Sequence, residues 1–293
     1  MQDWESSFVS WARKPSETET DKIENAERAI RQALTSSNSL SGRDYSVFAQ
    51  GSYRNRVNVR QDSDVDIGIV CRDTFFHDGA NDLTLKSFIP ATYEYSDYRT
   101  AVQTAVTNHF GYDAVTLGNK ALDIKANTYR VEADLAYFFE YRWYYTNGNY
   151  EEGVVMFDTL GQKTINWPEQ HYNNGVSKNT LTGRRFKRCV RILKKLKIRM
   201  ADDGNDLCEE IPGFLVECLV YNVANDDFLN STLTDNVRNC IISIFNATKS
   251  DSECEGLTEV SGLKDLFGTH QKWTRQQANQ FAFDTWTYLG FGQ

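Results

Sequence analysis

The sequence predicts an α+β fold, and two observations carry that prediction. Segments of strand periodicity alternate with short turns between Tyr45 and Asp158, while helical periodicity takes over beyond Gly183 and runs to the end. Between the two lies INWPEQHYNNGVSKNTLTG (165–183), a polar and turn-rich run. It puts the expected boundary between residues 1–165, a sheet-bearing core with a scaffold helix, and residues 166–293, a helical domain.

The bulk composition narrows the function classes. With 293 residues, 40% hydrophobic and 25% charged, the chain has ample material for a core. A formal net charge of -8 argues against broad binding to long nucleic acid, although a local basic cleft is compatible with it. The six cysteines form no CxxC pair and there are four histidines, so a zinc ribbon or finger is not expected. Free, buried thiols and a reducing cytoplasm are the expectation instead. The start, MQDWESSFVSWARK, mixes acids into its apolar residues and does not read as a signal peptide. No run approaches the roughly 18 uninterrupted apolar residues that a membrane span needs. The richest stretch, Ile211 to Ala224, is broken by Glu217.

In chain order, Trp4, Phe8 and Trp11 share one face of a short helix, which Pro15 punctuates. A second helix is expected from Ser16, where Ser16 and Glu19 form a capping-box pattern, with Ile23, Ala26, Ile30, Ala33 and Leu34 as its apolar line. Residues 45–50 read as the first core strand. A short helical turn is expected near Tyr53, and a helix over 97–110. Strands joined at Gly118-Asn119 follow, with the last of them expected from Arg130 to Phe139. A hairpin around Asn147-Gly148 occupies 141–158. RRFKRCVRILKKLKIRM is a basic helix with Phe186, Val190, Leu193, Leu196 and either Ile198 or Met200 inward, and three further helices complete the chain.

The chemistry concentrates in FAQGSYRNRVNVRQDSDVDIGIV, residues 48–70. In a strand, Asp64 and Asp66 project from one face while Val65, Ile67 and Ile69 project from the other. Two carboxylates so close repel unless a cation sits between them, and hard oxygen donors suit Mg²⁺ or Mn²⁺. Gly51-Ser52 opens a helical turn, whose free N–H groups can hold phosphate, with Arg54, Arg56 and Arg60 adding positive potential. A third carboxylate is expected on a neighbouring strand. Asp134 is the choice, with Glu132 as competitor and Asp123 as a weaker one. Such a set serves nucleotidyl transfer, in which one ion activates an attacking hydroxyl and a second stabilises leaving pyrophosphate. His77, His109, His171 and His270 are scattered and read as structural.

At these residues the sequence resembles the nucleotidyltransferases of the DNA polymerase β type. Within them it is similar to the bacterial cGAS/DncV-like enzymes, the CD-NTases that make cyclic nucleotide signals in anti-phage CBASS systems. The resemblance spans AQGSYRN, SDVDIGIV, VEADLAYFF, NWPEQHYNNGVSKN, RRFKRCVRILKKLK and IPGFLVECLVYNV. It implies a polymerase-β-like core, a mixed sheet with flanking helices, followed by a C-terminal helical domain like that of oligoadenylate synthetases. Asp64, Asp66 and Asp134 would then be the catalytic, metal-binding triad for two Mg²⁺ ions, with Mn²⁺ as a substitute. Gln50, Gly51 and Ser52 would contact nucleotide, Lys187 and Lys194 would contact phosphate, and Phe214 or else Tyr221 would stack on a base. Gly213 departs from the hydroxyl residue expected beside that base. The implied activity condenses NTPs into a cyclic di- or trinucleotide, in a cytoplasmic monomer whose product is read by a separate effector protein. The rivals are transfer of a nucleotide to a protein, RNA end or small molecule, and a non-catalytic nucleotide-binding module.

Overall fold

Strand Ala133–Tyr144 is the centre of the sheet, because it has paired neighbours along both edges. The structure is a computed structural model and describes residues 3–14, 17–59, 65–79 and 88–292, without the side chains of 17–19. Its strands are β1 (Tyr45–Ala49), β2 (Val65–Gly79), β3 (Val115–Leu117), β4 (Ala121–Ile124), β5 (Ala133–Tyr144), β6 (Tyr150–Phe157) and β7 (Lys163–Asn166). They form a mixed sheet with the order β1-β2-β5-β4-β3, and β6 and β7 continue from the second half of β5. β2 and β5 run parallel, and the other pairs are antiparallel. The expected strand 130–139 and the first arm of the expected hairpin are one continuous strand. β5 itself runs unbroken through this stretch, while β2 shifts register between Cys71 and Phe75 opposite the consecutive residues Phe139 and Glu140.

The chain divides into two compact units. One comprises residues 16–54 and 60–168, the other 1–15, 55–59 and 169–293. The second unit therefore collects both the N-terminal segment and a five-residue loop from between β1 and β2, which a single cut at 165/166 separates from it.

In the sheet unit, period-two alternation decides which face is buried. Val65, Ile67, Ile69, Leu122, Ile124, Leu135 and Tyr137 form one core with the helices Glu17–Thr35 (α2) and Tyr95–Phe110 (α4). Helix α2 supplies Ile23, Ala26, Ile30 and Leu34, as its apolar line requires. Helix α4 is locked down by buried Tyr98, whose hydroxyl donates to the Ile69 carbonyl at 2.9 Å. The opposite face carries Asp66, Gly68 and Val70 on β2, and Asp134, Ala136 and Phe138 on β5. A short helical segment, Gly51–Arg54 (α3), joins β1 to the chain that leads into β2.

In the helical unit, Glu5–Trp11 (α1) and Phe186–Asp202 (α6) share a core with Gly213–Tyr221 (α8), Leu233–Thr248 (α9) and Arg275–Leu289 (α10). The inward line of α6 is Phe186, Val190, Leu193, Leu196 and Met200, which settles the choice between Ile198 and Met200. α1 is fastened at three points. The Trp4 indole donates to the Leu289 carbonyl, the Glu5 carboxylate accepts from the backbone N–H groups of Leu233 and Thr234, and Arg191 grips the Ala12 carbonyl.

The run 165–183, expected as a turn-rich boundary, is largely helix Pro168–Leu181 (α5). Proline is tolerated at a first helical position, and the helix has no apolar stripe to announce it. It is held instead by polar side chains that reach neighbouring carbonyls. Asn174 donates to Val260 and Ser261, and Lys178 donates to Val223. A short helix, Asp206–Glu210 (α7), is capped by the Asn205 side chain. All six cysteines are free thiols, five of them buried. No helix among the described residues is long and apolar enough to cross a membrane.

Candidate active site

Asp66 and Asp134 are direct partners across the parallel pair β2 and β5, half-buried on the face turned away from α2 and α4. Parallel register places neighbouring strands about 4.8 Å apart, so the two carboxylates rise side by side. Asp123 on β4 is the antiparallel partner of Asp134 on its other edge, which makes a row of three acids across three strands. Glu132 precedes β5 and is exposed, while its carbonyl accepts from Val65 N–H at 2.9 Å and helps set the β2–β5 register. The expected third carboxylate is thus brought beside Asp66, and it is Asp134 that shares its level. Asp64 and Arg60 lie outside the described residues.

The Gly-Ser turn is welded to the same strand. The Gln50 N–H donates to the Asp66 carbonyl at 2.8 Å, and Gly51 follows in the left-handed region at φ +64°. A Cβ on residue 51 would stand 1.9 Å from Asp66 Oδ2, so any other residue would strain the backbone and push the carboxylate aside. Ser52 is the next residue, half-buried at the start of α3. Gly68 has its own steric reason, since a Cβ there would meet the Phe48 ring at 2.4 Å. Behind the acids this face becomes apolar through Val70, Ala136, Phe138, Val154 and Met156.

The remaining predicted residues belong to the helical unit. Lys187 and Lys194 sit on α6 and are buried rather than spread on a solvated face, at 8% and 5% exposure. The Lys187 ammonium lies 5.8 Å over the Tyr172 ring and makes no ion pair among the described residues. Burial pushes its pKa down, and nearby Arg56, Arg191 and Lys14 add to that against the pull of Glu217. Lys194 is paired with Glu217 at 3.2 Å, and Glu217 also accepts from His171 Nε2 at 2.9 Å. Burial raises the Glu217 pKa, but Lys194 and His171 outweigh it and bring the group to about 2. A carboxylate held ionised can only accept, so His171 carries its hydrogen on Nε2.

The His171 ring in turn packs 5.7 Å from Phe214, which also meets Trp273 at 5.9 Å. Tyr221 packs against Phe186 instead. The Lys194 stem lies on Gly213, with Cε 3.6 Å from where a Cβ would be, so a small side chain there would make ordinary contact. Sequence patterning alone does not pair Glu217 with His171. Its usable signal was an acid inside the otherwise apolar IPGFLVECLVYNV, since a buried carboxylate must have a cationic partner.

The family model of the cGAS/DncV-like nucleotidyltransferase C-terminal helical domain matches residues 173–290. A cyclic dipyrimidine nucleotide synthase, CdnE, of Legionella pneumophila is 42% identical over 98% of this chain and 98% of its own length. Another of the same name from Cecembia lonarensis is 39% identical, again over 98% of both. Among solved structures, the Elizabethkingia meningoseptica CdnE cyclic dinucleotide synthase with GTP and Apcpp superposes with a TM-score of 0.83 at 35% identity, over 98% of this chain and 99% of that one. The Rhodothermus marinus CdnE c-UMP-AMP synthase with Apcpp and Upnpp gives 0.86 at 27%, over 99% and 97%. Sheet, helical half and full-length similarity converge, and the chain belongs to the cGAS/DncV-like nucleotidyltransferases.

Proposed function

We propose that this nucleotidyltransferase joins two pyrimidine NTPs into a cyclic dinucleotide at Asp64, Asp66 and Asp134. The observation that carries the chemistry is the side-by-side register of Asp66 and Asp134 with Gly51 closed down on the Asp66 carboxylate. The choice of pyrimidines rests on the two full-length relatives named dipyrimidine synthases.

In each transfer a ribose hydroxyl oxygen attacks the α-phosphorus of an NTP and gives up its proton to water. The bond from phosphorus to the bridging oxygen breaks, and pyrophosphate leaves. A second transfer of the same kind closes the ring. The three Asp residues would hold two Mg²⁺ ions, or Mn²⁺ in their place. When bound, these supply Lewis-acid activation of the hydroxyl and charge neutralisation on the departing pyrophosphate. Hard carboxylate oxygens on rigid adjacent strands fit such ions. The N–H groups of the Gly51-Ser52 turn and the Ser52 hydroxyl hold and orient the triphosphate, beside Gln50. Lys187 offers a buried ammonium to phosphate, Lys194 a second one shared with Glu217, and Phe214 a ring on which a base stacks.

The enzyme acts as a cytoplasmic monomer, and its product activates a separate effector protein in defence against phage. Incubating purified protein with all four NTPs and Mg²⁺ or Mn²⁺, then resolving nuclease-resistant products by mass spectrometry, tests the reading. Cyclic dinucleotides made of UMP and CMP alone are expected. A main product that contains a purine would refute the pyrimidine choice. Failure to make any cyclic product would refute the synthase.

A further inference from the structure

We propose that Arg191 is a positioning residue for nucleotidyl transfer, fixing through the Arg56 carbonyl the loop of residues 55–59 that leaves the Gly51-Ser52 turn. The role rests on the reading of that turn as the triphosphate site.

Residues 55–59 follow directly after α3, yet they pack with the helical unit. Val57 is fully buried within the core that contains Phe186, Val190 and Leu193. Above it in the chain, Arg56 adopts φ +55°, a left-handed conformation that a non-glycine residue takes only when its surroundings impose it. Arg191, on α6 and 4% exposed, donates from Nη1 to the Arg56 carbonyl at 2.6 Å. Its Nε and Nη2 both reach the Ala12 carbonyl, at 3.0 and 2.6 Å.

A buried guanidinium usually faces a carboxylate, but Arg191 has no ion pair among the described residues. Burial, with Arg188 adding to it, lowers its pKa to about 10. An apolar side chain in this place would leave the Ala12 and Arg56 carbonyls without these donors. What an apolar side chain cannot do is hold two main-chain segments in fixed relation, and a planar fork of donors can. One of those segments ends α1, which Trp4 and Glu5 anchor to α10 and α9. The other is the loop of residues 55–59, which leaves the phosphate turn. Arg191 therefore acts on the reaction through backbone, without touching substrate.

The test is steady-state kinetics of Arg191→Lys, Arg191→Met, Val57→Ala and Ser52→Ala, each normalised to folded protein by circular dichroism and run well below its melting temperature. ATP, GTP, CTP and UTP serve as substrates. In the Arg191 variants KM for NTP should rise about tenfold or more, because small displacements of a positioning group cost that much. Arg191→Lys, which keeps the charge and one donor direction, should fall between Arg191→Met and wild type. Val57→Ala loosens the same loop without disturbing a charge and should raise KM in the same direction. Wild-type KM and kcat in folded Arg191→Lys and Val57→Ala, alongside a raised KM in Ser52→Ala, would overturn the proposal and leave the site reading intact. An unchanged KM in Ser52→Ala would instead overturn the reading of the turn.

Discussion

Gly51 and Asp66 are fitted to one another at atomic contact: a Cβ on residue 51 would stand 1.9 Å from Asp66 Oδ2 and 2.7 Å from its Cγ. The turn that would hold phosphate and the carboxylate that would hold metal are therefore one steric unit. Gly51→Ala must either displace that carboxylate or abandon φ +64°. Synthesis should fall by about a hundredfold or more, while the fold loses on the order of 1–3 kcal/mol. Product formation and a urea melt on the same sample check both halves.

The register of Asp66 with Asp134 makes a second expectation. Two carboxylates on adjacent strands interact by a few kcal/mol at an effective dielectric near 20, and a divalent cation turns that repulsion into attraction. Mn²⁺ with a nonhydrolysable NTP should raise the melting temperature of the wild type and leave that of Asp134→Asn unmoved. EDTA should abolish synthesis. A full metal-dependent shift in Asp134→Asn would exclude that residue from the ion site.

The strand chemistry was legible because period two is a strong constraint: once Ile67 and Ile69 are placed inward, Asp66 has to point the other way. The inward faces of α2 and α6 followed from the same logic at period 3.6. Helix α5 was missed because Asn174 and Lys178 stabilise it through carbonyls of other segments, and no local periodicity records that. The His171–Glu217–Lys194 network joins α5, α8 and α6, so no spacing along the chain could reveal it. Nor could composition show that residues 55–59 are packed with helices that begin over a hundred positions later.

Lys187 separates binding from stability. Its ammonium is buried over Tyr172, and its pKa is held below the ordinary value chiefly by desolvation. A lysine whose folded pKa is lowered opposes folding while it is charged, so at neutral pH Lys187→Met should melt no lower than wild type and preferably higher. If the group serves phosphate, the same variant should show KM for NTP raised about tenfold. A lowered melting temperature with unchanged KM would assign Lys187 to the fold alone.

Glu217 gives the clearest pH signature. It is 3% exposed, bonded to both Lys194 and His171, and its pKa in the fold is about 2 against an ordinary 4.5. A depressed carboxylate contributes stability that is fully present above its unfolded pKa and is lost as pH falls through the folded one. The window is therefore from about 4.5 down to about 2, and the contribution is on the order of 3 kcal/mol. Glu217→Gln removes it at every pH and strands the Lys194 ammonium, so at pH 7 it should cost about 3–5 kcal/mol. Adding Lys194→Met should recover much of that loss, since both charges then leave together. Urea melts at pH 7 and pH 3 decide the matter: the gap between wild type and Glu217→Gln should narrow at the lower pH. A gap that stays constant would mean that the acid sensitivity of the helical unit resides in another carboxylate.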